Sequence, residues 1–312
     1  MNSPTARPAV RPSVLLGVDC GGSHTAVAIG DGTGRVVARA EGPGSAMRPK
    51  GADASAAVIA DTARRAAAQA GMQLPADAAV VGAAGAGREP EQRALTAALV
   101  AAGVARTVRV IGDSEIALAA AFGDEPGILV NAGTGAIAYA RSPDNRLHRV
   151  GGHGWQLGDE GGGYWLGRQA LAAAAQSQDG RAESSTLLER LLVALGVRDF
   201  DDVIRWAATA SPAQVAALAP HVLNAAAEGE AVAQRLVVDA AAELARLVEV
   251  LARRFAGAEP IRVAVAGGLL RKDSPLFAAL RGALGTNVAR ARLLDGPVDA
   301  PTGALLLAAR LL

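Results

Sequence analysis

The chain reads as two rounds of one pattern. An apolar run at residues 14–18 ends at Asp19 and a glycine-rich loop, Gly21-Gly22-Ser23. Strands follow at 25–29 and 35–40, across a turn at 30–34. Residues 127–150 repeat the plan: a strand at 128–130, a loop at 131–135, a strand at 136–141, a turn at Ser142-Pro143-Asp144-Asn145, and a return at 146–150. Each round is an antiparallel meander with turn chemistry between its strands. After each meander the apolar period changes from two to that of a helix. The first half has helices at 54–70, 91–102 and 114–122, interleaved with strands at 78–82 and 108–111. The second half has helices at 165–175, 185–195, 201–208 and 213–227, the last capped by Ser211-Pro212. A long helix at 231–255, a strand at 261–266, a helix starting at Ser274-Pro275 and a final helix at 303–312 complete the pattern. The expectation is an α/β fold of two similar lobes, each a mixed sheet flanked by helices. The lobes are 13–115 and 116–296, and residues 1–12 read as a disordered leader.

Composition narrows the function classes. The 312 residues are 51% apolar, enough to bury a core without staples. With 31 basic and 30 acidic residues there is no field to hold a polyanion, and aromatics at 3% cannot build a stacking platform. Nucleic acid and membrane surfaces are therefore not expected partners. Lys50 and Lys272 are the only lysines, and neither sits in a G-x-x-x-x-G-K-[ST] loop, so a P-loop is excluded. The single cysteine, Cys20, permits no internal disulfide and points to a reducing compartment. With no long apolar run at residues 1–12, the expected location is the cytoplasm.

The candidate chemistry collects at the C-terminal ends of the expected strands, where open α/β sheets bind ligands. These ends carry Asp19-Cys20-Gly21-Gly22-Ser23, residues 82–85, Asp113, Asn131-Ala132-Gly133-Thr134-Gly135 and Gly267-Gly268. Together they describe one crevice between the lobes. Glycine loops let backbone N–H groups close on a phosphate, and Ser23 and Thr134 add hydroxyls. Gly133 to Ala138 also fits G-x-G-x-x-A, but Ile137 and Tyr139 favour a strand where a dinucleotide fingerprint needs a helix. Asp19 suits Mg²⁺ beside phosphates, or caps a turn. Asp113 suits a general base, or the N-cap of its helix. Residues 151–165 hold seven glycines with Trp155, Tyr164 and Trp165. They suit a hydroxyl-rich small molecule, with Asp159 or Glu160 accepting its protons. Tyr164 and Trp165 read as core residues at a helix start. The four histidines, at 24, 148, 153 and 221, have no metal-ligand spacing and read as ordinary.

On these motifs the chain, from Val14 to Leu312, resembles the N-acetylglucosamine kinase group of the BadF/BadG-type ATPases. That group belongs to the superfamily of sugar kinases, actin and the heat-shock chaperone ATPases. The resemblance implies two ribonuclease H-like lobes with a ligand cleft between them, and a C-terminal helix, 297–312, that packs back on the first lobe. It implies that Asp19 serves Mg²⁺, and that Gly21, Gly22, Ser23, Gly133, Thr134 and Gly135 hold the phosphates of ATP. Gly267 and Gly268 would take its adenosine. Gly151, Gly152 and Asp159 would hold the sugar, and Asp113 would accept the proton of its 6-hydroxyl. The expected activity is ATP-dependent phosphorylation of an amino sugar, N-acetylglucosamine before glucosamine or N-acetylmuramic acid, by a homodimer.

Two positions depart from the family pattern. Met47 stands where the family often places a sugar-binding Asn, followed by Arg48, and His153 stands where a Trp often follows Gly-Gly. Met47→Asn is therefore expected to tighten N-acetylglucosamine binding. The competing reading is an ATP-driven activator of a radical dehydratase. Such a protein holds a four-cysteine cluster between two subunits, which one cysteine per chain cannot supply.

Overall fold

The computed structural model describes residues 13–312 apart from Ser23, Pro49 and Ser184. The expected leader, 1–12, and the expected phosphate ligand Ser23 lie outside the described residues. The chain divides into two units. One runs to Asp124 and resumes with Asp299–Leu312, and the other is Glu125–Val298.

The first unit is built on a five-stranded sheet of β1 (Val14–Cys20), β2 (His24–Asp31), β3 (Val36–Pro43), β4 (Ala76–Ala83) and β5 (Ala105–Ile111). Their order is β3-β2-β1-β4-β5. The meander pairs antiparallel, while β4 and β5 run parallel to β1. Central β1 is covered on both faces, which is why VLLGV is continuous rather than alternating. Helices α1 (Ala52–Ala70) and α2 (Glu89–Ala101) pack on one face, around Ile59, Ala63, Leu95 and Leu99. Helix α1 stops at Gly71, whose left-handed φ of 64° lets Met72 N–H reach Ala67 O, a Schellman close.

The other face takes α3 (Asp113–Phe122) and the C-terminal helix, Ala300–Ala309. The first unit extends past residue 115 to Asp124 because α3 packs against this C-terminal helix and β4. The contact is backbone to backbone. A Cβ on Gly303 would lie 2.1 Å from Ile116 O and 2.7 Å from Ala120 N, and one on Gly17 would lie 2.2 Å from Pro301 O. Gly303→Ala should therefore destabilise the protein by about 1–3 kcal/mol in urea unfolding. Gly285→Ala, on an exposed helical position with nothing within 4 Å, should be neutral or stabilise by up to about 1 kcal/mol.

The second unit repeats the sheet with β6 (Gly127–Ala132), β7 (Ala136–Arg141), β8 (Leu147–Gly151), β9 (Ile261–Ala266) and β10 (Ala291–Leu293), in the order β10-β9-β6-β7-β8. Between β8 and β9 run α4 (Gly163–Gln178), α5 (Leu187–Leu195), α6 (Phe200–Ala207), α7 (Pro212–Ala216), α8 (Ala219–Ala227) and α9 (Ala231–Ala252). Helix α10 (Pro275–Asn287) precedes β10. The stretch read as one helix over 213–227 is two, because Pro220 enters the first turn of α8 and has no N–H to continue α7. Helix α9 buries Val237, Ala241, Leu244, Val248 and Leu251 against β6, β7 and β8. Three-residue β10 escaped the sequence reading because it is too short to show a period.

Candidate active site

In the first unit, parallel pairing of β1 with β4 and of β4 with β5 brings their C-terminal ends to one edge, with Asp19 opposite Gly82 and Gly82 opposite Ile111. Gly21 N–H closes the β1–β2 turn on His24 O at 3.0 Å. The segment after β3 is stitched beneath this turn. Ser45 and Ala46 N–H both donate to Gly21 O, Met47 N–H to Ala84 O, and Ala84 N–H to Cys20 O. A buried polar chain backs the stitching. Cys20 Sγ lies 2.7 Å from Ser45 O and 3.0 Å from Ser45 Oγ, and Thr25 Oγ1 meets Ser45 Oγ at 2.5 Å while donating to Pro43 O. Burial pushes the Cys20 thiol up to about 11, so it is a structural hydrogen-bonding group rather than a nucleophile.

Asp113 is the first residue of α3, and Gly112 is the N-cap, which removes the capping alternative. Asp113 Oδ1 accepts from Ser114 N–H at 2.8 Å, and Glu115 Oε1 reaches back to Gly112 N–H. The other carboxylate reports its proximity. Asp19 is pushed up to about 6, first by burial and then by the negative charge of Asp113, with His24 opposing. Two carboxylates therefore face one another electrostatically at the ends of β1 and β5, and neither has a salt bridge among the described residues. His24, read as ordinary, is the nearby cation candidate that sequence spacing could not single out. A buried carboxylate made costly by a second one is a place where Mg²⁺ fits, because that ion needs only one or two carboxylates besides phosphates and water. This also agrees with the lack of a three-ligand cage among the described residues.

Met47 departs from expectation. Its side chain is buried in the core under β1 and β4, 8% exposed, and does not face a ligand. The cause is backbone geometry. A Cβ on Gly85 (φ 83°) would lie 2.2 Å from Met47 O, so the strand-end loop holds residue 47 inward. Met47→Asn would bury an amide rather than tighten a sugar.

In the second unit the glycine clusters converge through main-chain contacts. Gly163 N–H donates to Gly133 O at 2.8 Å and Tyr164 N–H to Thr134 O at 2.9 Å, so the start of α4 is fixed on loop 133–135. The Thr134 side chain is exposed on that loop. Asp159, at φ 64°, lays its carboxylate against Gly135, where a Cβ would lie 2.2 Å from Oδ2. Gly152 N–H donates to Ala136 O, and Arg149 donates to the carbonyls of Gly151 and Gly152. Gly267 (φ 91°) leaves no room for a Cβ, which would lie 2.2 Å from Ala132 O. The expected phosphate, sugar and adenosine glycines of this unit, with Asp159, thus surround the end of β6. Tyr164 does not enter the core as expected. It pairs with exposed Trp155 at 4.9 Å between ring centroids, while Trp165 packs on the core.

Beside Gly267 opens a cavity of about 410 Å³, lined by Leu270, Arg271, Lys272, Phe277 and Asp295 among others. Lys272 and Arg281 both pair with Asp295. Such a volume suits a nucleoside. The sequence reading missed these residues. The signal available was one of only two lysines placed soon after Gly267-Gly268.

Two units of repeated sheet topology, with glycine loops at their strand ends, define the actin-like ATPase fold that sugar kinases share. The chain belongs to the BadF/BadG/BcrA/BcrD ATPase family, whose sequence profile matches residues 16–308. It is 31% identical over 234 residues to the N-acetylmuramic acid/N-acetylglucosamine kinase of Clostridium acetobutylicum, covering 73% of this chain and 76% of that one. It is 25% identical over 310 residues to the N-acetyl-D-glucosamine kinase of Dictyostelium discoideum, covering 95% and 97%. A solved structure of a proposed N-acetylglucosamine kinase from Chromobacterium violaceum superposes with a TM-score of 0.77 at 31% identity, over 95% of this chain and 99% of that one.

Proposed function

We propose that the chain is an ATP-dependent kinase that phosphorylates the 6-hydroxyl of an amino sugar, N-acetylglucosamine first. The observation that carries this is the pair Asp19 and Asp113, charge-coupled at neighbouring strand ends of a unit whose family consists of ATPases. Asp113 takes the proton of the sugar's 6-hydroxyl. The freed oxygen forms a bond to the γ-phosphorus, the bond from that phosphorus to the β,γ-bridging oxygen breaks, and its electron pair leaves with ADP. Phosphoryl transfer asks for positioning and charge stabilisation more than covalent chemistry, and this donor set supplies them. Gly21, Gly22, Gly133, Thr134 and Gly135 offer backbone and hydroxyl donors to the phosphates. Gly267, Gly268 and the cavity beside them hold the adenosine. Mg²⁺, held through Asp19, would neutralise phosphate charge. Gly151, Gly152 and Asp159 hold the sugar. Between Gly151 and Tyr164 no arginine stands to pair an anionic group there, which supports a neutral or cationic sugar at that loop.

Burial of Cys20 supports the kinase over a dehydratase activator. Its sulfur has no exposed surface and cannot reach a cluster shared with another subunit. A homodimer acting in the cytoplasm belongs to this reading, and mass photometry reads the first part directly. Among the described residues no helix is long and apolar enough to cross a membrane. The test is ADP release by the purified protein with glucose, glucosamine and N-acetylglucosamine. The expected order of kcat/KM is N-acetylglucosamine, then glucosamine, then glucose. Preference for plain glucose would overturn the amino-sugar assignment.

A further inference from the structure

We propose that Arg48, the first turn of α1 and Ser55 form a carboxylate-binding subsite beside the first phosphate loop, through which the enzyme also accepts an amino sugar bearing a carboxylate arm. The proposal rests on the amino-sugar kinase reading and adds a determinant of specificity to it. A cavity of about 230 Å³ lies here, lined by Gly22, Ser45, Ala46, Arg48, Gly51 and Ser55 among others. Three donors of different kinds open on it. Helix α1 is 19 residues long, and its N-cap, Gly51, has no side chain to satisfy the first-turn N–H groups. Ser55 is 5% exposed and lines the cavity, yet among the described residues its hydroxyl has no hydrogen-bond partner. The one sealed, unpartnered side-chain atom among those residues is Glu91 Oε2, so the Ser55 hydroxyl opens to the cavity. Arg48 is exposed at the rim and has no ion pair among the described residues.

The acid of this turn does not cancel them. Asp53 lines a different cavity together with Arg64. The walls are held by backbone bonds: Ser45 and Ala46 N–H to Gly21 O, and Gly51 N–H to Arg48 O at 2.9 Å. A guanidinium, a free hydroxyl and a helix N-terminus together are an anion-binding set. The cavity shares Gly22 with the phosphate loop, so its occupant is an arm of whatever lies at that loop.

The test measures kcat/KM of the full chain for N-acetylglucosamine, N-acetylmuramic acid and the methyl ester of that acid, in wild type, Arg48→Gln, Arg48→Lys and Ser55→Ala. The wild type should phosphorylate the acid and prefer it to its ester. Arg48→Gln should lower the ratio of acid to neutral sugar about 5- to 50-fold, Arg48→Lys should retain part of that ratio, and Ser55→Ala should lower it about 2- to 5-fold. Turnover of N-acetylglucosamine but not of the acid, or a ratio unmoved by Arg48→Gln, would overturn the subsite and leave the kinase reading standing. Inactivity on every sugar would overturn both.

Discussion

Asp113→Asn should lower kcat by ~10²–10⁴, the usual worth of a positioned general base, while KM for sugar and ATP changes much less. Asparagine keeps the size and the Oδ1 acceptor that binds Ser114 N–H, so α3 should start where it does now. The substitution also removes the charge that helps push up Asp19, so the protein should unfold no more easily than the wild type. A catalytic loss without a stability loss separates a base from a residue that merely starts a helix. Near-normal kcat in a folded variant would leave Asp113 only its structural place at the head of α3.

Asp19→Asn should act on stability and activity in opposite directions. The folded-state pKa of about 6 lies above the ordinary 3.8, so the folded protein binds more protons than the unfolded chain between those values. Stability therefore falls as pH rises from about 4 to about 6 and stays lower above. Two pKa units correspond to about 3 kcal/mol, and partial solvent access reduces this to about 1–3 kcal/mol. Asparagine carries no charge, so without nucleotide the variant should be more stable than wild type by that amount at pH 7.5. The difference should shrink towards pH 4, as read by urea unfolding at each pH. Phosphoryl transfer should fall at least ~10²-fold, because the group proposed to hold the cation is gone. A destabilised Asp19→Asn protein would mean that the carboxylate is a satisfied structural group.

The parts of the site legible in the sequence are those fixed by chain-local geometry. Asp19, Asp113 and Gly267 stand at strand ends, and a strand followed by glycine announces such an end without knowledge of its neighbours. The repeat of meander, helix and strand was legible because both sheets use the same order around β1 and β6. What escaped depends on contacts distant in sequence. Met47 turns inward because Gly21 and Ala84 capture the loop after β3, and nothing in residues 44–48 encodes those partners. Lys272 and Asp295 meet beside Gly267 only once α10 and β10 are in place. Tyr164 stacks on Trp155 because α4 is pinned to loop 133–135 by its first two N–H groups, a constraint that periodicity does not carry.

The central claim is that phosphate passes from ATP to the 6-oxygen of an amino sugar. Phosphorus-31 and proton NMR of a reaction containing the purified protein, MgATP and N-acetylglucosamine tests it most directly. The account predicts ADP and a single new phosphate monoester, coupled to the two protons on carbon 6 of the sugar, with Asp113→Asn producing it far more slowly. A phosphate coupled to the anomeric proton, or ADP formed at the same rate with and without sugar, would contradict it.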